Sequence, residues 1–278
     1  MSGVRYIAAG GIVTDDRTKD DLTKDDLKAV YYSFFDVCCD VGRHRDLLTE
    51  ALRLRYQVYC LENAYENAAA FPDGMERDQY DLRSLHSLLV HRHSNQVAGT
   101  VRLIRPDPHQ PLESLPIDAL CAEALLRDQT VLPRHGIAEV SRFAVSKQFR
   151  RRLEDAPTPS GVALNWSTTV QTEKRRVPHL SLGLVQAMIF NSHRHAITHW
   201  VAEMEPALLR MYAKLGVHWN DLGPPIEFHG KRQPCYTQLD IMLRRARLER
   251  PDVWALITNN SGCATLKQAT LKRLSDTD

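Results

Sequence analysis

An α/β fold with a mixed central sheet and helices on both faces is what this 278-residue sequence predicts. Two turn-linked β runs in the first half and a helix–strand–helix alternation in the second carry that prediction. A 43% hydrophobic, 25% charged composition is ordinary for a globular chain of this length and allows one large buried core.

The elements follow in order. Residues 1–28 hold a short apolar patch and then a Thr-, Asp- and Lys-rich run with too little apolar surface for a core, so a flexible N-terminal tail is expected. Bulky residues over Tyr31–Val41 predict the first strand. Leu48, Ala51, Leu52, Val58 and Tyr59 recur at helical spacing and predict a helix over Arg45–Glu62. Ser84–His93 and Val97–Arg105, joined by Ser-Asn-Gln, read as a hairpin, and a short helix is expected near Ile117–Leu126. Ile137–Val145 is a strand, followed by Lys147-Gln-Phe-Arg-Arg-Arg. Periodicity then lapses, and 153–178 reads as a flexible insert. Beyond it come a helix Leu180–His195, a strand Ile197–Met204, a helix Pro206–Leu215, a strand near Val217, a short strand Ile226–His229 and a helix Thr237–Leu248. One domain over 29–260 and a polar tail over 261–278 complete the organisation.

Bulk charge narrows the function classes. Thirty-six basic against 34 acidic residues leave +2, without the basic excess of a dedicated nucleic-acid binder. None of the six cysteines forms a C-x-x-C pair, which fits a reducing cytoplasm. There is no apolar run of transmembrane length and no secretory leader pattern, so a cytoplasmic protein is expected. His195 and His199 have i, i+4 spacing, with His193 nearby, but Ile197–Met204 reads as a strand and no further ligand completes a set, so no metal is expected.

Several charges stand among apolar neighbours. Arg55 is three, four and seven residues from Leu52, Ala51 and Leu48, which puts it on the apolar helix stripe, where a guanidinium needs acidic partners or an anion. Glu139 and Arg142 interrupt an interior-type strand. Three apart, they point to opposite faces unless a bulge re-aims one, and a bulge is expected here. Arg102 sits in the second hairpin arm, while Glu76, Asp78 and Asp81 offer counter-charges from an acidic loop.

In order and spacing, Arg55-Tyr-Gln-Val-Tyr59, Tyr65, Asp78-Gln-Tyr-Asp81, Gly99-Thr-Val-Arg102 and Glu139-Val-Ser-Arg142-Phe143 resemble the signature of the LuxI-type acyl-homoserine-lactone synthases over about the first half of the chain. The longer Arg-Tyr-Gln-Val-Tyr-Cys-Leu-Glu, with Ser-Arg-Phe-Ala-Val-Ser-Lys, Leu-Ser-Leu-Gly-Leu and His229-Gly-Lys-Arg-Gln-Pro-Cys235, is similar to acyltransferases of PEP-CTERM/exosortase systems, relatives of the N-acyl amino acid synthases. The resemblance implies a GNAT fold whose central strands splay to admit a pantetheine arm. It also implies transfer of a long-chain acyl group from acyl carrier protein to an amine, with no tightly bound cofactor beyond the carrier's 4'-phosphopantetheine thioester and weak membrane association only through the lipid product. Catalysis would fall to Glu139, accepting a proton from the amine directly or through water, and Arg142. Arg55, Tyr59, Tyr65, Asp78, Asp81, Arg102 and Phe143 would bind the acceptor or order the chain over it.

Departures from the pattern shape the donor and the acceptor. Tyr59 and Tyr65 stand where the LuxI-type enzymes usually carry Phe and Trp, which points away from S-adenosylmethionine and towards an amino acid or similar amine. The Q/R-x-x-G-x-G/A loop that grips coenzyme A in many GNAT enzymes is missing, which favours acyl carrier protein over acyl-CoA as donor. Arg150, Arg151 and Arg152, with Lys174, Arg175 and Arg176, would meet the carrier's acidic surface by electrostatic steering. The rival readings are a homoserine-lactone synthase using S-adenosylmethionine, an acetyl-CoA-dependent acetyltransferase and a non-catalytic acyl-binding sensor.

Overall fold

The computed structural model describes residues 4–8, 11–15, 24–150 and 180–259. The expected insert at 153–178, the tail at 261–278 and the basic residues Arg151, Arg152, Lys174, Arg175 and Arg176 lie outside them. Strands β1 (Val4–Ala8) and β2 (Gly11–Asp15) pair antiparallel within the segment expected to be a tail. Helix α1 (Lys24–Phe34) then corrects the first predicted strand: Tyr31 is helical, and only β3 (Phe35–Cys38) is extended. Tyr31 misleads because its ring is core, fully buried against Phe35, while its hydroxyl donates to the Leu180 carbonyl at 3.0 Å.

The predicted helix over Arg45–Glu62 is α2 (Arg45–Arg55) continued by a π-helical turn, Tyr56–Glu62. Its buried positions are Leu47, Ala51, Leu54, Arg55, Val58 and Cys60, one residue off the predicted stripe at Leu48 and Leu52. The hairpin is β4 (Ser84–His91) and β5 (Val97–Ile104). The single short helix predicted next divides into α3 (Pro116–Leu120) and α4 (Ala124–Arg127). Then come β6 (Ile137–Val145), α5 (Lys147–Arg150), α6 (Ser181–Arg194), β7 (His199–Met204) and α7 (Pro206–Lys214). Proline at the first turn starts α7, and Gly216 at φ 75° ends it, with the Val217 N–H closing back on the Tyr212 carbonyl.

The second half holds more strand than predicted. After β8 (Asn220–Asp221) and β9 (Ile226–Glu227) comes β10 (Lys231–Gln238), whose polar, proline-containing sequence hides it. Pro234 is tolerated because its carbonyl, accepting from Leu222, faces the outer side where β8 pairs only Cys235 and Tyr236. The predicted helix begins two residues late as α8 (Leu239–Glu249), and α9 (Pro251–Ile257) follows.

Eight strands form one sheet: β3-β4-β5-β6-β7-β10-β8 in order, with β9 paired to β10. Only β6 and β7 run parallel. One face packs α1, α6, α7, α8 and α9 in the largest apolar cluster; α2 and α3 cover the other. No helix among the described residues is long and apolar enough to cross a membrane.

Candidate functional site

A bulge and a parting of strands create the site. Opposite β5, Arg102 pairs with Ser141 and Thr100 with Ala144, so Arg142 and Phe143 together oppose Val101. Arg142 takes a left-handed φ of 50°. The extra residue returns Arg142 to the face that carries Glu139 and Ser141, as the strand's charge pattern required.

On that face three arginines meet four carboxylates. Arg55 donates from Nε to Glu76 and from Nη1 to Asp81, both at 2.6 Å. Arg102 reaches Asp78 at 2.6 Å and Asp81 at 2.5 Å. Arg142 bonds Glu66 at 2.8 Å and Glu76 at 3.0 Å. Arg55, Arg102 and Glu76 are each 1% exposed, so the ions are taken out of water and must be held by one another. Burial alone would raise the Asp81 carboxyl, yet Arg55 and Arg102 hold it well below the usual carboxylate range. His86, buried beside them, is pushed down to about 4 chiefly by desolvation and is neutral at physiological pH.

Next to this cluster the sheet opens. The ladder between β6 and β7 ends at Glu139 opposite Val201, while β7 continues to Met204 paired with β10. The strands diverge beyond that point around a solvent-open crevice with about 120 Å³ of cavity space. Its polar rim holds Tyr59, Tyr65, Glu66, Arg142, His229 and Arg232. Its inner wall, on the side of α6 and α7, is Val140, Phe143, Met188, Met204, Leu208 and Tyr212. The Arg142 guanidinium lies 5.0 Å from the Tyr59 ring centroid, and Tyr65 packs on His229 at 4.9 Å. A crevice that joins ionic side chains to an apolar wall suits a molecule with a polar head and a hydrocarbon chain.

Tyr59 explains one departure from the resemblance. Its hydroxyl donates to the Phe143 carbonyl at 3.2 Å, a strand carbonyl on the crevice wall. Tyr59→Phe is expected to cost about 0.5–1.5 kcal/mol of stability for the lost bond, read as a lower urea midpoint. An unchanged midpoint would mean that water replaces the hydroxyl.

Two carboxyls sit where the strands part. Glu139 is 1% exposed, with Oε2 accepting the Ile117 N–H at 2.9 Å. That donor is fixed by α3, whose Asp118 is clasped by the buried Arg134 at 2.7 and 3.1 Å. Burial, and then the charge of Glu203, push the Glu139 carboxyl well above its ordinary range. Glu203 lines the crevice, and burial raises it to about 7.

With this geometry in place, similarity to known proteins is informative. Residues 54–156 match the family model described as an acetyltransferase (GNAT) domain. The fold is the GNAT acyltransferase fold. Two solved GNAT-fold structures share it at 20% identity: TofI in a ternary complex with an inhibitor and MTA, matched over 82% of this chain and 99% of that one with a TM-score of 0.51, and the CoA-dependent acyl-homoserine lactone synthase BjaI with MTA, over 76% and 89% with a TM-score of 0.50. FeeM, an N-acyl amino acid synthase from uncultured soil microbes, aligns at 14% identity over 78% of this chain and 97% of its own, with a TM-score of 0.47. No curated protein matches the chain.

Within the GNAT fold the sequence-predicted residues fall into three groups. Arg55, Asp78, Asp81, Arg102 and Arg142 converge in one ionic cluster, and Tyr59, Tyr65, Phe143 and again Arg142 line the crevice. Glu139 stands behind the crevice wall. Arg150 closes α5, apart from its two neighbours outside the described residues. His195 follows α6 and His199 opens β7, so they share no helical face, and among the described residues no group of three or more candidate ligands gathers for a metal. Sequence reasoning missed Glu203, His229 and Arg232. Glu203 carried the same signal as Glu139, a carboxylate inside an apolar strand, whereas His229 and Arg232 entered only as part of a matched segment.

Proposed function

We propose that this chain is an N-acyltransferase that moves a long-chain fatty acyl group from acyl carrier protein to the amine of an amino acid or a similar acceptor, in the manner of the autoinducer synthases. The observation that carries the reading is the crevice at the β6–β7 parting, with an ionic rim and a wall of Val140, Phe143, Met188, Leu208 and Tyr212. An acetyl group would leave that wall unused. A long acyl chain would cover it, gaining about 0.8 kcal/mol for each buried methylene.

In this reading the thioester carbonyl lies where the strands separate, and backbone N–H groups freed there stabilise the tetrahedral oxyanion. Arg142 and the cluster behind it hold residues 66–81 over the polar end, where Tyr59 and Tyr65 face the acceptor. Glu139 steadies the parting from behind the wall by holding the Ile117 N–H. Arg150, Arg151 and Arg152 dock the acidic carrier protein, and the cytoplasm, where acylated carrier protein is made, is the place of action. The resemblance to exosortase-associated acyltransferases fits an amino acid acceptor.

Thiol release from palmitoyl carrier protein and from acetyl-CoA, each with a panel of free amino acids, tests the assignment. The expected result is a higher kcat/KM for the palmitoyl donor and dependence on an amine. Preference for acetyl-CoA would replace the reading with that of a small-acyl acetyltransferase.

A further inference from the structure

Three carboxylates line the crevice, and they differ in their partners. Glu66 is bonded to Arg142 at 2.8 Å, and Glu205 faces Arg232 at 3.3 Å. Glu203 has Oε1 shut off from solvent with no hydrogen-bond partner. Its place follows from the ladder. Glu139 pairs with Val201 as the last β6–β7 pair, and strand alternation makes Glu203 the next β7 residue on that face, the first beyond the point of divergence. It therefore stands between the open crevice and the buried Glu139, which is not on the crevice wall. A buried, unpartnered carboxylate oxygen where the strands part beside an open crevice is costly unless something entering the crevice binds it.

We propose that Glu203 is the catalytic base that takes the proton from the acceptor amine, and that Glu139 is a positioning residue behind it. The inference rests on the acyltransferase reading above. The acceptor enters as an ammonium ion and gives one proton to the Glu203 carboxylate. The freed nitrogen lone pair then forms the C–N bond at the thioester carbonyl, whose π electrons move to oxygen. As that oxyanion collapses the C–S bond breaks, and the second nitrogen proton passes to the departing thiolate, leaving amide and free thiol. Glu203 returns its proton to solvent through the open rim.

The surroundings of Glu203 are consistent with this division. It is faced by Glu139 from β6, Asp118 from α3 and Arg232 from β10, by the Cys121 and Cys235 thiols, and along the crevice by Arg142, Glu66, Glu205 and His229. Burial brings Glu203 to about 7, and burial, with the charge of Glu203 next, pushes Glu139 well above its ordinary range. A base raised in this way works once deprotonated, so turnover should climb as pH rises through about 7.

The test compares Glu203→Gln, Glu203→Asp and Glu139→Gln with the wild type, using palmitoyl carrier protein and an amino acid acceptor across pH 5.5–9, with thermal melts to confirm folding. Glu203→Gln is expected to lose about 10²–10⁴-fold in kcat, together with the rising pH limb, at an unchanged KM for the donor. Glu203→Asp should restore part of the rate, and Glu139→Gln, which keeps an oxygen to accept the Ile117 N–H, should keep both limb and most of the rate. Near-wild-type turnover by folded Glu203→Gln, or loss of the pH limb in Glu139→Gln alone, would overturn the inference while leaving the acyltransferase reading intact. A wild-type protein that transfers nothing to any amine would remove both.

Discussion

Arg102→Ala should destabilise the fold by about 3–5 kcal/mol, the cost of stripping one partner from a buried ionic group. Arg102 is 1% exposed and bonds both Asp78 and Asp81, so its removal leaves two carboxylates short of a counter-charge. Arg55 continues to hold Asp81, whereas Asp78 keeps only Arg142 at 3.5 Å. Urea unfolding reads the loss as a lower midpoint; a change below about 1 kcal/mol would mean that water enters and the cluster is not sealed. The pH dependence follows from the same ions. Glu76, Asp78 and Asp81 are all held below their ordinary values by the arginines despite burial. Their contribution is therefore complete above the unfolded carboxylate range, about pH 4, and drains away as pH falls towards the lower folded values. The wild type should lose stability below about pH 4 more steeply than Arg102→Ala.

Leu208→Trp should cost transfer of a long acyl group at least about 10–200-fold in kcat/KM, the penalty associated with a single misfitted methylene in an apolar pocket. Leu208 sits in the first turn of α7 and faces the apolar wall with Met188 and Tyr212. Leu208 is also buried in the largest apolar cluster, so the overpacking penalty on stability should be about 1–3 kcal/mol. The loss should shrink for a butyryl donor, which does not reach so deep. Equal losses for both chain lengths would show that the acyl chain runs elsewhere.

Much of this site was legible because buried charge is conspicuous in sequence. Arg55 on a helix stripe and Glu139 and Arg142 in an interior-type strand each demanded partners, and the strand period of two demanded the bulge at Arg142. Glu203 stood out by the same rule in His199–Met204 and passed unused, since its counterpart lies across a parallel pairing that no local pattern announces. Other misses share a cause: tertiary context outweighed local pattern. Tyr31 reads as a strand residue but is helical because its ring fills the core under α6, where Gly183 leaves no Cβ to collide with its hydroxyl. The β10 strand is polar because it runs near the sheet's edge, paired along β7 on one side and only briefly with β8 and β9 on the other, and its proline hides the pairing.

The central claim is that the parting of β6 and β7 is a conduit in which an acyl chain meets an amine. Mass spectrometry of lipid extracts from cells expressing the wild type and Leu208→Trp tests it most directly. The account expects a new long-chain N-acyl amide from the wild type, displaced towards shorter chains in the variant. Extracts indistinguishable from cells lacking the protein, or the same chain lengths from both forms, would contradict it.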